Sequence, residues 1–132
     1  MLLLLLLAVL LAAVIGANSS ANCVGPAIGG RVLTYRKGVL LATFFALLGL
    51  FLEGPKMIHS VGGGILLQPL LNETFVTITL LSALLSTALA TRLRFPISTS
   101  HSIALAIIGA ALVSGIGLNT PYLSKLFLSW LL

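Results

Sequence analysis

Charge is what this sequence lacks most. Its 132 residues hold seven Lys or Arg and two Asp or Glu, 7% of the chain, where a soluble domain carries about 25%. So few charges cannot cover the surface of a water-soluble protein of this length, and a soluble fold is excluded. The scarcity of carboxylates excludes more. Glu53 and Glu73 stand at the ends of apolar segments, so acid–base hydrolysis within a membrane would lack its usual actors. HExxH, Walker and Cys/His spacings are missing. No catalytic residue, no metal centre other than an alkali cation and no organic cofactor is therefore expected, and the chain does not read as an enzyme. The single Cys23 excludes an intramolecular disulfide and reads as a small buried thiol. No basic run precedes the Leu-rich start, which argues against a cleaved signal peptide.

What is present is apolar: 59% of the chain. Long uncharged stretches run from Met1 to Gly30, Gly38 to Leu52, Thr74 to Thr91 and Phe95 to Ser124. Crossing a hydrocarbon core takes about 20 apolar residues, and three of these stretches come near or beyond that. The basic residues cluster between them, as Arg31, Arg36 and Lys37 and then as Arg92 and Arg94. The net charge of +5 is thus a set of headgroup anchors and not a water-exposed nucleic-acid face. The sequence predicts an all-α, polytopic membrane helix bundle, one membrane domain over residues 1–132, in contact with the lipid bilayer and not with nucleic acid.

The order of segments refines this. Met1 to about Ala17 predicts a spanning helix. From Gly16 to Gly30 the chain stays uncharged but turns rich in Gly, Asn and Ser, the composition of a helix broken at membrane depth, where freed backbone must be buried or line a wet cavity. Gly38 to Leu52 predicts a second helix stopped at Glu53-Gly54-Pro55. Lys56 to Leu71, with a Gly triplet and Pro69, reads as an irregular connection. Thr74 to Thr91 predicts a third helix, with Thr79, Ser82 and Ser86 on one face as interhelical hydrogen-bond glue. A fourth segment runs from Pro96 to about Leu118, and Gly109, Gly115 and Gly117 would let it fold back as a re-entrant hairpin. Pro121 to Leu132 is too short to span, so the chain reads as unfinished at its C-terminus. Alternating basic and balanced loops predict a multi-pass protein of the cell membrane with its N-terminus outside.

Two constellations carry chemistry. The first is Asn18, Ser19, Ser20 and Asn22, just beyond an apolar helix. Amide and hydroxyl oxygens are hard ligands for an alkali cation, and transporters use helix breaks of this kind for sodium; a plain Asx/Ser turn has the same composition. The second is Pro96-Ile97-Ser98-Thr99-Ser100-His101-Ser102 before an apolar run. Consecutive hydroxyls at a helix N-terminus, with its N–H groups and dipole, suit a tetrahedral oxyanion, although simple capping uses the same residues. His101 reads either as an anion donor or proton carrier or as a structural hydrogen-bonding group.

In order, the two constellations resemble the inorganic phosphate transporter (PiT) family. Its Gly-Ala-Asn-Asp-Val-Ala-Asn-like motif is matched by Gly16-Ala17-Asn18-Ser19-Ser20-Ala21-Asn22. Its Pro-Ile-Ser-Thr-Thr-His-like motif is matched by Pro96-Ile97-Ser98-Thr99-Ser100-His101. The resemblance implies secondary transport of inorganic phosphate, coupled to sodium or protons, by two inverted repeats of which this chain is one. It implies sodium at Asn18, Ser19 and Asn22, and phosphate at Ser98, Thr99, Ser100 and His101 on a hairpin tip. It also implies a partner, either a second half-transporter chain or, against the charge asymmetry, a homodimer. Ser19 stands where the family has Asp, which removes a negative ligand. That departure leaves two alternatives open: a transport-inactive membrane subunit, or a carrier of another oxyanion such as sulfate.

Overall fold

The expected helical architecture is what forms. A computed structural model describes residues 1–67 and 72–131, with the backbone alone for residues 59–63. Among the described residues the chain runs α1 (Leu2–Gly29), α2 (Tyr35–Gly63), α3 (Glu73–Arg92), α4 (Thr99–Ser114) and α5 (Thr120–Leu131). Extended pairing is confined to one isolated bridge, Leu66 with Leu118. Three helices, α1, α2 through Ile58, and α3, are long and apolar enough to cross a membrane. The sixteen residues of α4 and twelve of α5 reach only about 24 and 18 Å, short of the roughly 30 Å hydrocarbon core.

Four sequence expectations need correction. The helix break after Ala17 does not occur: α1 is continuous for 28 residues, with Pro26 inside its last turns. At membrane depth a backbone has no water to turn to, so the helical ladder persists through Asn18-Ser19-Ser20 despite their modest propensity. Pro55 likewise fails to stop α2, which continues to Gly63, because Pro removes one ladder bond and can be carried as a kink. The segment from Pro96 to Leu118 does not fold back on itself; it holds one helix, and the chain reverses at Gly115, in the left-handed conformation at φ +67°, where glycine has no Cβ to clash. Pro69 lies outside the described residues. Cys23 is exposed, not buried.

Two contacts fix how α1 lies on α3. The Met1 amino group is 3.8 Å from the Glu73 carboxylate, and Asn18 Nδ2 donates to Thr91 Oγ1 at 3.2 Å. Both contacts pair residues offset by the same amount along the chain, within one position. The helices therefore run parallel, in register, over about 25 Å at about 1.5 Å per residue. The buried stripes match: Leu7, Leu11 and Asn18 on α1 face Thr79, Ala83 and Thr87 on α3. Small residues recurring every fourth position let the backbones approach closely.

The remaining elements turn back along α3. Phe75 at the start of α3 packs with Ala110 and Ala111 near the end of α4, so α4 is antiparallel to α3 and the Leu93–Ser98 connection is the tip of a hairpin. Leu123 of α5 packs on Ala104 of α4, and the Trp130 ring meets the His101 ring edge-on at 3.9 Å between centroids, so α5 doubles back again. At the base, Leu67 N–H donates to the Gly117 carbonyl and Asn119 N–H to the Ile65 carbonyl, at 3.1 and 2.9 Å. On the other flank, α2 meets α1 at Gly38, where a Cβ would come within 2.8 Å of Ile28 Cδ1. Beyond Gly38, α2 stands clear of the bundle with Leu40, Phe44 and Phe51 exposed. Water would not tolerate this face, whereas lipid or another membrane unit would.

Candidate functional site

The Asn18 side chain is 6% exposed. It sits in α1 because the helix does not break, and it faces α3 because it continues the Leu7, Leu11 stripe at helical spacing. Its Nδ2 is spent on Thr91, whose own hydroxyl donates to the Thr87 carbonyl at 2.8 Å. Its Oδ1 is buried and accepts nothing, and the same is true of the neighbouring Thr87 hydroxyl, which has no partner. A buried acceptor without a partner costs about 1–3 kcal/mol. Two such groups side by side between α1 and α3 are an outstanding demand for a ligand.

Beside them opens a cleft of about 410 Å³ lined by Asn18 and Asn22 of α1 and by Thr91, Arg94, Phe95 and Pro96 of the tip. Asn18 and Asn22 share it because they are four apart on an unbroken helix. Ser19 is half-buried and stands about 100° round the helix from Asn18; it does not line the cleft. Ser20 faces a separate apolar groove between α1 and α2, with Tyr35 on its far wall. Pro26 adds a backbone consequence: having no N–H, it withholds the ladder donor from the Asn22 carbonyl four residues earlier. α1 thus brings Asn18 and Asn22 to the cleft wall and leaves the Asn22 carbonyl without its usual ladder donor.

The hydroxyl motif follows the cleft directly. Ser98, two residues beyond Pro96, is the N-cap of α4 and accepts the His101 N–H at 3.4 Å. Ser98 and Ser100 hydroxyls are 3.1 Å apart, and the Ser102 hydroxyl donates to the Ser98 carbonyl. Thr99 is the first residue of α4. The first-turn amides and the hydroxyls of Ser98 and Ser100 therefore cluster on one helix start, where the dipole favours an anion. His101 is differently placed: its ring is half-buried against Trp130.

Depth follows from helix lengths. Asn18 lies about 24 Å along α1, and α1 continues about 16 Å beyond it at about 1.5 Å per residue. The tip of the α3–α4 hairpin thus meets α1 well short of the basic turn at Arg31–Lys37. Sequence reasoning missed Thr87, Thr91 and Arg94. Its face of Thr79, Ser82 and Ser86 was wrong in two members: Ser82 and Ser86 are exposed, while Thr79 is buried, its hydroxyl donating to the Phe75 carbonyl of its own helix. The signal for the right face was the every-fourth series Thr79, Ala83, Thr87, Thr91. Arg94 carried no sequence signal beyond its charge; its backbone is left-handed, at φ +60°.

Comparison with known proteins gives a consistent picture. Residues 15–132 match a family model described as the phosphate transporter family. Relatives named "Putative phosphate permease" include one from Helicobacter pylori, 33% identical over 125 residues, covering 89% of this chain and 24% of its own length. One from Chlamydia pneumoniae is 36% identical over 126 residues, covering 89% of this chain and 30% of that one. One from Pyrococcus furiosus is 31% identical over 140 residues, covering all of this chain and 34% of that one. The chain therefore spans about a quarter to a third of the length of these relatives. No solved structure matches.

Proposed function

Starting from the premise that this chain belongs to the phosphate transporter family, we propose that it forms one half of a multi-pass carrier that moves inorganic phosphate with a coupling cation. In this reading α1, α2 and the α3–α4 hairpin make one repeat, and a second half, from another chain or a second copy, covers the bare side of α2. The hairpin is re-entrant: its tip stops at Asn18, inside the bilayer, and the N-terminus lies outside. The chain acts as a carrier and not as an enzyme.

The observation that supports the proposal is one cleft shared by the first motif and the turn that leads into the second. Asn18 and Asn22 line it together with Thr91, Arg94, Phe95 and Pro96, although seventy-odd residues of sequence separate the two groups; Ser98, Thr99 and Ser100 follow Pro96 without lining it. Sodium placed on Asn18 Oδ1 and the Asn22 oxygens would relieve the orphaned acceptor. Phosphate would take the donors of Ser98, Thr99, Ser100 and the first turn of α4, close enough for the cation to offset its charge in a site away from bulk water. Ser19, placed off the cleft, would act on the ion from a distance and not as a direct ligand. His101, held by Trp130, would fix the start of α4.

The test is uptake of labelled phosphate by proteoliposomes containing this chain and its other half, driven by an inward sodium gradient and compared with a proton gradient. Thr99→Ala with Ser100→Ala should cut uptake at least tenfold. Unchanged uptake would reject the phosphate assignment. The Ser at 19 favours a second reading, a subunit without transport activity; it predicts no phosphate binding in any assembly.

A further inference from the structure

The cleft beside Asn18 carries one ionisable side chain, Arg94, and no carboxylate. Arg94 makes no ion pair among the described residues. Both carboxylates are elsewhere: Glu53 is taken by Lys56 and Glu73 lies at the opposite end of α3. Arg94 also ends α3 in the left-handed conformation at φ +60°, with its N–H on the Thr91 carbonyl and the following N–H on the Ala90 carbonyl. Glycine is the usual residue there, and a larger one costs on the order of 1–3 kcal/mol. Arg31 shares this conformation, at φ +59°, so the backbone alone does not mark a site; what sets Arg94 apart is its unpaired guanidinium on the wall of the cleft that holds Asn18 and Asn22. Arginine offers a planar fork of donors matched to tetrahedral oxyanions. The Arg94 side chain is exposed, so an anion entering the cleft can reach it without displacing a protein partner.

We propose that Arg94 is an oxyanion-anchoring residue of this cleft, so that its fixed charge does part of the work of a coupling cation and phosphate binds without sodium. The proposal rests on the transport reading above and adds a residue and an ion dependence to it. The charge inventory supports it: Ser19 contributes no negative charge, Arg94 contributes a positive one, and the cleft favours an anion even before sodium arrives. Free phosphate and the phosphate of a lipid headgroup share this chemistry; free phosphate is favoured because the tip meets α1 about 18 Å of helix short of Gly30 at about 1.5 Å per residue, away from the basic turn where headgroups gather.

The experiment is binding of labelled inorganic phosphate to this chain assembled with its other half in neutral-lipid nanodiscs, in choline chloride and in sodium chloride. Arg94→Gly removes the charge and relaxes the backbone, so it should fold at least as well; Arg94→Lys keeps the charge. Wild type should bind in choline, Arg94→Gly should bind at least tenfold more weakly there with partial recovery in sodium, and Arg94→Lys should stay within a few-fold of wild type. Sodium-free binding that is equal in wild type and Arg94→Gly overturns the proposal, and so does wild-type binding seen only in sodium; both leave the transport reading standing. No binding by wild type in either salt sinks both. If Arg94→Gly loses co-purified anionic lipid while phosphate binding is unchanged, the anchored group is a headgroup and the proposal fails.

Discussion

Replacing Asn18 by Leu should stabilise the ion-free protein and remove its response to sodium. The Asn18 side chain is 6% exposed, gives one hydrogen bond of 3.2 Å to Thr91, and strands its Oδ1. Leu forfeits that bond, which in a membrane bundle averages about 0.6 kcal/mol. It also removes the orphaned acceptor, which costs about 1–3 kcal/mol. Thr91 is not stranded in exchange, because its hydroxyl donates to the Thr87 carbonyl. The net expectation is a gain of about 1 kcal/mol without ions, the difference of those two terms. Sodium acts the other way on wild type: at ten times its dissociation constant it adds about 1.4 kcal/mol, and to the Leu variant it should add nothing. Thermal unfolding in nanodiscs, in choline chloride and in sodium chloride of equal strength, measures both effects. A Leu variant that melts well below wild type in choline, or that shifts equally with sodium, would refute the argument that the stranded oxygen is held for an ion.

Thr87→Val replaces a fully buried, unpartnered hydroxyl by a methyl of similar shape, and should be neutral or stabilising by up to about 1 kcal/mol, read from the same melting curves. Gly38→Leu should loosen α2 from α1 by about 1–3 kcal/mol through overpacking, while Gly38→Ala should cost less, since the nearest atom, Ile28 Cδ1, is the mobile end of a side chain; cysteine cross-linking yields between the two helices would report the separation. Ser19→Asp adds a carboxylate near the ion position proposed at Asn18 and should lower the sodium concentration for half-maximal phosphate uptake; an unchanged value would show that position 19 does not act on the ion.

The helical, membrane-embedded class was legible because it follows from what water and lipid will accept: apolar stretches of spanning length, with basic residues confined to their ends. The approach of the turn before Ser98 to Asn18 was legible only as a resemblance, since nothing local to either segment says that they come together. It depends on α1 and α3 running parallel in register, a tertiary fact that the four-residue spacing of Thr79, Ala83, Thr87 and Thr91 hinted at. The expected break at Ala17 misread polar composition as unwinding; in lipid the backbone keeps its own hydrogen bonds, and the amides at 18 and 22 are exposed to the cleft by rotation round a helix. Arg94 was read as a headgroup anchor because charge at the end of an apolar run usually is one. Only the hairpin turn after α3 carries it to Asn18.

The main-chain link between Ile65–Leu67 and Gly117–Asn119 joins the connection before α3 to the connection after α4. The link is tight as well as short: a Cβ at Gly117 would come within 3.1 Å of Leu67 Cδ1, and Ile65 is buried in the core, so it tolerates neither added bulk at Gly117 nor added length. Under the carrier reading the two loops would move as a single handle, while the opposite end of the α3–α4 pair stays tied to α1 through Asn18 and Thr91.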